Sequence, residues 1–372
     1  MANLLFVTWD GGGNVAPALE IAGALVQRGD RVRFLGQPSQ GEAIRNAGFN
    51  FEAYRNPGAW TATGDGGGAQ SARAFLGVLT NRGFGEDVLA SAERTPTDII
   101  VIDCLLYGPL KAAEKAGLRC AVLVHSLYGA VSRRMASGAA GAIARIAGYR
   151  PRAMWAAADL VLVATLEELD LAPLRADAAV PLTYTGPALP DGVGAPQRGG
   201  PDPTVLVSLS TTFIPGQARI LQAALDGIAE LPVRGLVTTG PALESDRLRV
   251  PPNTRTHRYL PHRDVMPTSS VLIGHGGHAT TMLALAHDLP LVIIPVNRKF
   301  DQPIIGRVVQ DAGAGILLPT SASPARIRDA IATVLADDRY GIEAARLGAA
   351  VRASRGTATA ADRLHALASV LT

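Results

Sequence analysis

The chain has 372 residues, of which 48% are hydrophobic and 18% are charged. This length predicts two domains of ordinary size, and this balance excludes a disordered protein. The net charge is +3, without a basic run interleaved with aromatic residues, so a nucleic-acid partner is not expected.

The two cysteines and the lengths of the apolar stretches indicate the cellular compartment of the protein. Cys104 and Cys120 each lie in or beside an apolar run typical of a buried strand, so we expect reduced core thiols and no disulfide framework. The N-terminal residues lack the basic segment of a signal peptide, and no apolar stretch approaches the roughly 20 residues that span a bilayer. A cytoplasmic protein without integral membrane association is the expectation.

The N-terminal half alternates short apolar runs with helical patterns. Residues 4–7 predict a buried strand, 16–28 a helix and 31–35 the next strand, which together form a βαβ unit. Further elements are predicted as strands at 99–102, 120–124 and 160–164 and a helix at 109–116. This alternation indicates a doubly wound parallel sheet.

Two stretches interrupt the alternation. Residues 58–70 are rich in glycine, alanine and threonine and predict a mobile loop, and residues 127–152 are rich in alanine, glycine and arginine and predict a loose helical excursion over a cleft. Long insertions of this kind are often functional. The alternative is that both simply cover the edges of the core.

A proline- and glycine-rich stretch at 187–203 marks a linker near the midpoint. The alternation then restarts, with strands predicted at 204–209, 234–238, 271–274 and 291–295 and helices at 216–230, 279–286, 324–335 and 339–371. The predicted division is a first domain at 1–190, a linker at 191–203, a second domain at 204–341, and C-terminal helices at 342–372.

The strongest local signal is the junction at 271–281, where a buried strand runs into His275, Gly276 and Gly277 and a helix then begins. Glycines let a ligand approach the backbone closely. The free N–H groups and the positive end of the helix dipole favour a phosphate or carboxylate. His275 adds a side-chain donor, and Thr280 or Thr281 adds a hydroxyl. The alternative is a helix N-cap with a structural histidine.

This junction, followed by Ala284-Leu285, Leu289-Pro290, Pro295, Asp301-Gln302 and Gly313-Ala314-Gly315, resembles the donor-site signature of the GT-B glycosyltransferases. More narrowly, it resembles the family 1 UDP/dTDP-sugar enzymes of the bacterial natural-product branch, and the similarity runs in order over essentially the whole chain. The resemblance implies an α/β GT-B fold with two Rossmann-like doubly wound parallel-sheet domains facing a cleft. Residues 1–190 would bind the acceptor, residues 204–341 would bind the nucleotide sugar, and residues 342–372 would cross back to the first domain.

The resemblance also implies roles for individual residues of the donor site. His275 and the amides of Gly276 and Gly277 would hold the diphosphate, with Thr280 nearby. Asp301 and Gln302 would bond sugar hydroxyls, because an acid–amide pair offers both acceptors and donors. The implied phosphate-facing loop runs from Ser208 to Thr212 and includes Ser210 and Thr211, and the implied nucleobase contact is made by Tyr259 and Leu260.

One departure from the family pattern concerns the nucleotide. Relatives often carry a glutamate at the position of Leu283 that bonds the ribose hydroxyls, and a leucine does not replace that bond. A 2′-deoxyribose loses less from its absence, which favours a dTDP-sugar over a UDP-sugar. The alternatives are that another residue makes the bond or that Leu283 faces the core.

The catalytic base is the second departure. The turn at 10–17 resembles the family's Gly-His-x-x-Pro or Gly-Asp-x-x-Pro turn, but Asn14 occupies the position of the base, and a neutral amide is not a base. Asp10, on the same turn, is the first alternative. Asp103 matches the carboxylate that orients the histidine in relatives, and His125 follows the strand at 120–124. Each of the three is also typical of a turn or capping residue, and an acidic acceptor would need no base.

The resulting expectation is an inverting, metal-independent glycosyltransferase that moves a hexose or deoxysugar from a dTDP- or UDP-sugar to a small-molecule aglycone. No Asp-x-Asp triplet occurs, and the glycine-rich turn fits a dinucleotide fingerprint poorly, so neither a metal nor a bound cofactor is expected. The alternatives are a non-hydrolysing nucleotide-sugar epimerase and a catalytically silent sugar-nucleotide binding partner. A homodimer is left open.

Overall fold

The computed structural model describes residues 1–62, 68–170, 180–190, 192–194, 202–210, 214–240, 243, 247–298 and 300–369, with the backbone alone for 68–69. The chain divides into two units, Met1–Pro190 with Ser354–Thr372, and Asp191–Ala353. Within the described residues, no helix is both long enough and apolar enough to cross a membrane.

The first unit is a seven-stranded parallel sheet with the strand order β3-β2-β1-β4-β5-β6-β7. Its strands are β1 Asn3–Val7, β2 Arg31–Gly36, β3 Asn50–Ala53, β4 Ile99–Asp103, β5 Cys120–Val124, β6 Leu160–Val163 and β7 Leu182–Tyr184. Its helices before the unit boundary are α1 Val15–Gln27, α2 Gly41–Asn46, α3 Gly68–Leu79, α4 Arg82–Arg94, α5 Tyr107–Ala116, α6 Tyr128–Val131, α7 Ala139–Ile146 and α8 Pro151–Ala156.

The second unit is a six-stranded parallel sheet with the order β10-β9-β8-β11-β12-β13. Its strands are β8 Thr204–Ser208, β9 Arg234–Thr238, β10 Thr254–His257, β11 Val271–Gly274, β12 Leu291–Ile293 and β13 Gly315–Leu317. Its helices are α9 Gln217–Ile228, α10 His262–Val265, α11 His278–Ala286, α12 Gln302–Asp311, α13 Pro324–Ala336 and α14 Asp338–Ser354, and the last helix of the chain is α15 Gly356–Ser369.

The central strands of both parallel sheets are continuously apolar because helices cover both faces of each sheet. Every residue of β4 and β5 is buried, as expected when helices cover both faces of a sheet. One core lies under α1 and α15, where Ile21 and Leu25 meet Leu364. In the second unit, α9 and α13 cover β8 and β11 in the same way. The prediction of two doubly wound parallel-sheet domains is therefore confirmed.

The C-terminal segment returns to the first unit later than predicted. The prediction placed the return at residue 342, but α14 stays with the second unit, because Arg352 donates from Nη1 to the carbonyl of Ala286 at 2.6 Å and pairs with Asp288 at 2.7 Å. Arg355 then adopts a left-handed φ of 50°, which ends α14 and lets α15 begin. Only α15 packs on the first unit, where His365 contacts Asp30 at 2.8 Å.

The first of the two interrupting stretches is more helical than predicted, and the second is as helical as predicted. The predicted loop at 58–70 ends early, because α3 begins at Gly68, and residues 63–67 lie outside the described part of the chain. The excursion at 127–152 is helical as predicted, with α6, a π-helical turn at Ser132–Ala136, α7 and the start of α8. The described part of the linker at 191–203 belongs to the second unit.

The packing of α15 against the first unit generates a stability prediction, because there is no room for a side chain at Gly356. A Cβ there would collide with the carbonyls of Pro187 and Gly186. Gly356→Ala should lower the free energy of unfolding by about 1–3 kcal/mol in chemical denaturation.

The matched control is Gly23→Ala in α1 of the same unit, where a Cβ meets nothing within 4 Å. Alanine is the better helix former, so this variant should raise the stability by about 0.5–1 kcal/mol. Equal effects of the two substitutions would contradict the close docking of α15.

Candidate active site

Three polar side chains of the first unit converge where its strands end. Asn14 precedes α1, Asp103 ends β4, and His125 follows β5. Because β1 and β4 are neighbours from which the chain winds in opposite directions, this edge is the switch point where open α/β sheets bind ligands. The sequence-predicted candidates Asn14, Asp103 and His125 are therefore brought together.

Asp103 is the centre of this cluster. Its Oδ2 accepts a hydrogen bond from Nδ2 of Asn14 at 3.1 Å and lies 3.0 Å from Nδ1 of His125, while its Oδ1 accepts from the amide of Leu105 at 3.0 Å. The His125 contact has the distance of an ion pair, although the ring N–H is poorly aligned for a hydrogen bond. Asn14 also donates to the carbonyl of Trp9, so its amide holds the turn together.

Burial and pairing act in opposite directions on the charges of this cluster. Burial by itself raises the pKa of Asp103, but the charge of His125 and the hydrogen bonds to its carboxylate outweigh burial and hold that pKa below its usual value. Burial likewise lowers the pKa of His125, and the Asp103 carboxylate outweighs it and raises the pKa well above the usual value. The pair is therefore an imidazolium–carboxylate pair at neutral pH.

Cys104 lies beside this pair and completes a set of three potential metal ligands. The ligand atoms of Asp103, Cys104 and His125 lie within 4.8 Å of one another, and no other such group occurs among the residues that the structure describes. Burial raises the pKa of the Cys104 thiol, which disfavours the thiolate that binds metals. Since Asp103 already accepts from Asn14 and Leu105, the arrangement fits an ion pair better than a metal centre.

Asp10, the first alternative base, is held apart from this cluster. Its Oδ2 accepts hydrogen bonds from Oγ of Ser39 at 2.9 Å and from the amide of Ala62 at 3.2 Å. Its own amide donates to Oε1 of Gln37 at 2.8 Å. These bonds tie the glycine-rich turn to the following loops, so the contacts of Asp10 are those of a turn residue.

In the second unit, the junction between β11 and α11 is built around two glycines. Gly276 has a φ of 82°, and a Cβ there would lie 2.7 Å from the carbonyl oxygen of Gln302. A Cβ on Gly277 would collide with the ring of His275. The junction thus has room for glycine alone.

His275 is buried against this junction. The residue is 9% exposed, and Nδ1 is buried without a hydrogen-bond partner among the described residues. Burial, and to a smaller extent the nearby His262, lower its pKa to about 4. The ring is therefore neutral at neutral pH.

The remaining predicted donor residues differ in how they are placed. Oε1 of Gln302 accepts from the amides of Val296 and Asn297, both at 2.9 Å, so this oxygen shapes the loop after β12, and a sugar hydroxyl would meet only the amide nitrogen. Asp301 occupies the N-cap position of α12 without a capping bond from its side chain. The other predicted residues are distributed as follows: Thr280 is half-buried in α11, Ser210 is buried after β8, Tyr259 is 77% exposed, Leu260 is half-buried, and Thr211 and Thr212 lie outside the described residues.

Sequence reasoning placed Ser208 in the phosphate-facing loop but missed its polar partners Thr238 and His262. Oγ1 of Thr238 donates to Oγ of Ser208 at 3.0 Å, and this hydroxyl contacts Nε2 of His262 at 2.9 Å. Ser208 and Thr238 end the neighbouring strands β8 and β9, so strand-end polar residues were a usable signal. His262 directly follows the Tyr259-Leu260-Pro261 segment, and only the fold brings it to Ser208.

Comparisons with known proteins relate this architecture to glycosyltransferases. Residues 222–367 match the family described as "Erythromycin biosynthesis protein CIII-like, C-terminal domain". Over 98% of its length the chain is 26% identical to 99% of the 4'-demethylrebeccamycin synthase of Lentzea aerocolonigenes. Several further curated relatives are matched over only 36–47% of their own length.

Two solved structures show the fold of the whole chain. The calicheamicin glycosyltransferase CalG4 has a TM-score of 0.78 at 20% identity, covering 99% of this chain and 98% of that one. The glycosyltransferase VinC in complex with dTDP has a TM-score of 0.72 at 17% identity, covering 99% of both chains. The predicted GT-B fold is confirmed.

The ion pair of Asp103 and His125 generates a prediction for the histidine. In a titration followed by NMR of labelled histidines, His125 should stay protonated well above the usual pH range, and Asp103→Asn should lower its pKa, because burial then acts without a compensating carboxylate. The pKa of His125 is higher in the folded than in the unfolded protein, so the ion pair stabilises the fold. This stabilisation is complete below the unfolded-state pKa of about 6.5 and is lost as the pH rises through the folded-state pKa.

Asp98→Asn, at a carboxylate that instead bonds Asn3, is the control and should leave His125 unchanged. An identical His125 titration in Asp103→Asn and in the parent protein would show that the contact carries no electrostatic coupling.

Proposed function

Taking the erythromycin biosynthesis protein CIII-like C-terminal domain at 222–367 and the GT-B fold of the whole chain as premises, we propose that this protein is a glycosyltransferase of natural-product biosynthesis. It transfers a sugar from a nucleotide sugar, bound by the second unit, to a small-molecule aglycone, bound by the first unit. The 4'-demethylrebeccamycin synthase, aligned from end to end, supports this assignment. The single observation that carries this proposal is the junction between β11 and α11, where Gly276 and Gly277 pack against His275 and Gln302.

The junction suits a diphosphate leaving group. The amides at the start of α11 carry partial positive charge, which favours a phosphate there. Stabilising the departing diphosphate with fixed dipoles and an imidazole requires no metal ion, so we keep metal independence as part of the proposal. The nucleotide sugar is a co-substrate, and no further cofactor is proposed.

On the acceptor side, we assign the base to His125. Its Nδ1 faces the carboxylate of Asp103, which leaves Nε2 as the nitrogen that can take a proton from the acceptor. The acceptor oxygen attacks the anomeric carbon as its proton passes to neutral His125, the bond from that carbon to the diphosphate breaks, and the nucleoside diphosphate leaves. A single displacement inverts the configuration. Asp103 acts as the positioning residue, and Asn14 fixes Asp103.

The asparagine at position 14 fits this assignment. A histidine at position 14 would be the base in the family pattern, and Asn14 instead donates to the same carboxylate oxygen that His125 contacts. The orienting carboxylate is thus retained while the histidine that it orients comes from the end of β5. A cytoplasmic location and a homodimer stay predictions.

The pH dependence of catalysis tests the assigned base. Since only neutral His125 accepts a proton, kcat/KM for a dTDP- or UDP-sugar and a phenolic or alcoholic aglycone should rise with pH through the raised pKa of His125. His125→Gln should abolish this rise and lower kcat/KM by roughly 10²- to 10⁴-fold. Asp10→Asn is the comparison variant and should keep the parent profile.

Two other outcomes would support a different function. A His125→Gln enzyme with the parent rate and profile would rule out the base. Conversion of the nucleotide sugar in the absence of any acceptor would indicate an epimerase, and donor binding without turnover on any acceptor would indicate a silent binding partner.

Leu283 in α11 generates a prediction for the nucleotide. A leucine makes no hydrogen bond to a ribose 2′-hydroxyl, so dTDP should raise the melting temperature more than UDP at equal concentration. Leu283→Glu should increase the stabilisation by UDP relative to that by dTDP, since a carboxylate accepts from the extra hydroxyl. Equal responses of both proteins to both nucleotides would rule out a role for this position.

A further inference from the structure

The helix α7 in the first unit turns its large apolar residues outward. Among the large hydrophobic residues that the structure describes, Ile146 is the most exposed, at 88%, and Ile143, one turn earlier on the same face, is 43% exposed. The buried residues of the helix are the small ones, Gly141 and Ala144. A surface helix ordinarily buries its large apolar residues, so this reversed arrangement points to a contact outside the chain.

The packing beneath α7 fixes this orientation. A Cβ on Gly141 would collide with the carbonyl of Ala136 in the π-helical turn, so only glycine lets the helix lie this close. Nη1 of Arg145 donates to the same carbonyl at 2.9 Å. Tyr149, directly after the helix, is buried, and its hydroxyl donates to the carbonyl of Thr80 at 3.1 Å. These contacts hold the rotation of α7, so its two isoleucines stay on the outside.

The segment that contains α7 is basic throughout. Residues 127–152 hold five arginines and no acidic residue, a larger positive charge than the +3 of the whole chain. Arg145 and Arg150 are exposed, and among the described residues no carboxylate forms an ion pair with either of them. Nζ of Lys111 donates to the carbonyl of Gly148 at 2.6 Å and adds a cation just beyond the C-terminal end of the helix. Basic groups without a counter-charge thus accompany the exposed isoleucines.

We propose that α7 binds the protein to an anionic lipid bilayer, with Ile143 and Ile146 inserted among the head groups and the neighbouring basic side chains against lipid phosphates. Apolar side chains gain free energy on leaving water at this depth, and each nearby lysine or arginine is attracted by the negative surface potential. Eight residues of helix span only about 12 Å, so α7 lies along the membrane surface and does not cross it. This binding does not depend on the glycosyltransferase assignment, because α7 contributes no residue to either candidate site.

A second copy of the chain fits this face poorly. A two-fold symmetric interface places the same patch of each copy against itself. The arginines of one copy would then meet those of the other, and the segment at 127–152 holds no acidic residue to pair with them.

A protein partner also fits less well than a bilayer. A stable protein interface covers roughly 800 Å² on each side, around aromatic or arginine anchors that fill pockets. The aromatic residues near α7, Tyr128, Tyr149 and Trp155, are buried, which leaves two isoleucines one turn apart as the apolar anchors. A bilayer requires no pocket, only protruding apolar side chains and positive charge.

Sedimentation with vesicles measures the binding. The protein is mixed with large unilamellar vesicles of phosphatidylcholine, either alone or with about 30 mol% phosphatidylglycerol, at about 0.1 M salt. It should sediment with the vesicles that contain phosphatidylglycerol and stay in solution with phosphatidylcholine alone. Raising the salt to about 0.5 M should release most of the bound protein, because salt screens the attraction between exposed charges.

Two pairs of variants assign the binding to α7. Ile146→Ser should lower the partition coefficient for the anionic vesicles about tenfold, whereas Ile342→Ser, at an isoleucine that is 62% exposed in α14, should leave it unchanged. Arg150→Gln should lower it about fivefold, whereas Arg307→Gln, which removes the same charge from an exposed position of α12, should have little effect. All four side chains are exposed, so the melting temperature of each variant should stay that of the parent protein.

Three results would overturn the proposal. Absence of the protein from both vesicle pellets would exclude the bilayer and leave an acidic protein surface as the occupant of this face. Equal losses in the α7 variants and in their controls would show attraction by the overall charge alone. A parent dimer that Ile146→Ser converts to a monomer in size-exclusion chromatography would assign the face to a second copy.

Discussion

The lack of space for any side chain at Gly276 and Gly277 is the constraint on which the proposed donor site depends. The carbonyl of Gln302 closes on one glycine and the ring of His275 on the other, so the chain can pass from β11 into α11 in this way only with glycine at both positions. His275 is buried in the same packing. Glycine is thus required here because protein atoms fill the space of a side chain, and the proposed anion site lies at the start of the helix that follows.

Both units place their polar groups where parallel strands end. The strand interiors are apolar because helices cover both faces of each sheet. Polar side chains are therefore tolerated at the carboxyl ends of the strands, where the backbone turns away from the sheet. In the first unit this edge holds the Asp103–His125 ion pair, and in the second it holds Ser208, Thr238 and His275. The first cluster holds an imidazolium–carboxylate pair at neutral pH, whereas the His275 ring of the second is neutral.

The buried strands were predictable from the sequence, and the edges of the sheets were not. The strands β5, β9 and β11 begin and end at the predicted residues, because their apolar runs are bounded by polar residues. The edge strands β3 and β10 are half-exposed and carry no such run, so no pattern distinguished them from loops. The break at Arg355 was also invisible, since a non-glycine residue with positive φ has no sequence signature.

The site was predictable in its donor half and only partly in its acceptor half. The strand–glycine–helix pattern at 271–281 predicts an anion site by local chemistry alone, and this stays a prediction. The contact of Asn14 with Asp103 joins residues 89 positions apart, and the choice between Asp10 and His125 needed the contacts that hold each of them. The role of His262 depends on a contact with Ser208 across 54 positions, which no local pattern reveals.

A crystal structure with a bound nucleoside diphosphate tests the central claim most directly. The account predicts phosphate oxygens within hydrogen-bond distance of the His275 imidazole and of the first amides of α11, with the backbone of Gly276 and Gly277 unchanged. A diphosphate bound elsewhere, with the His275 ring still buried and out of contact with it, would contradict the account.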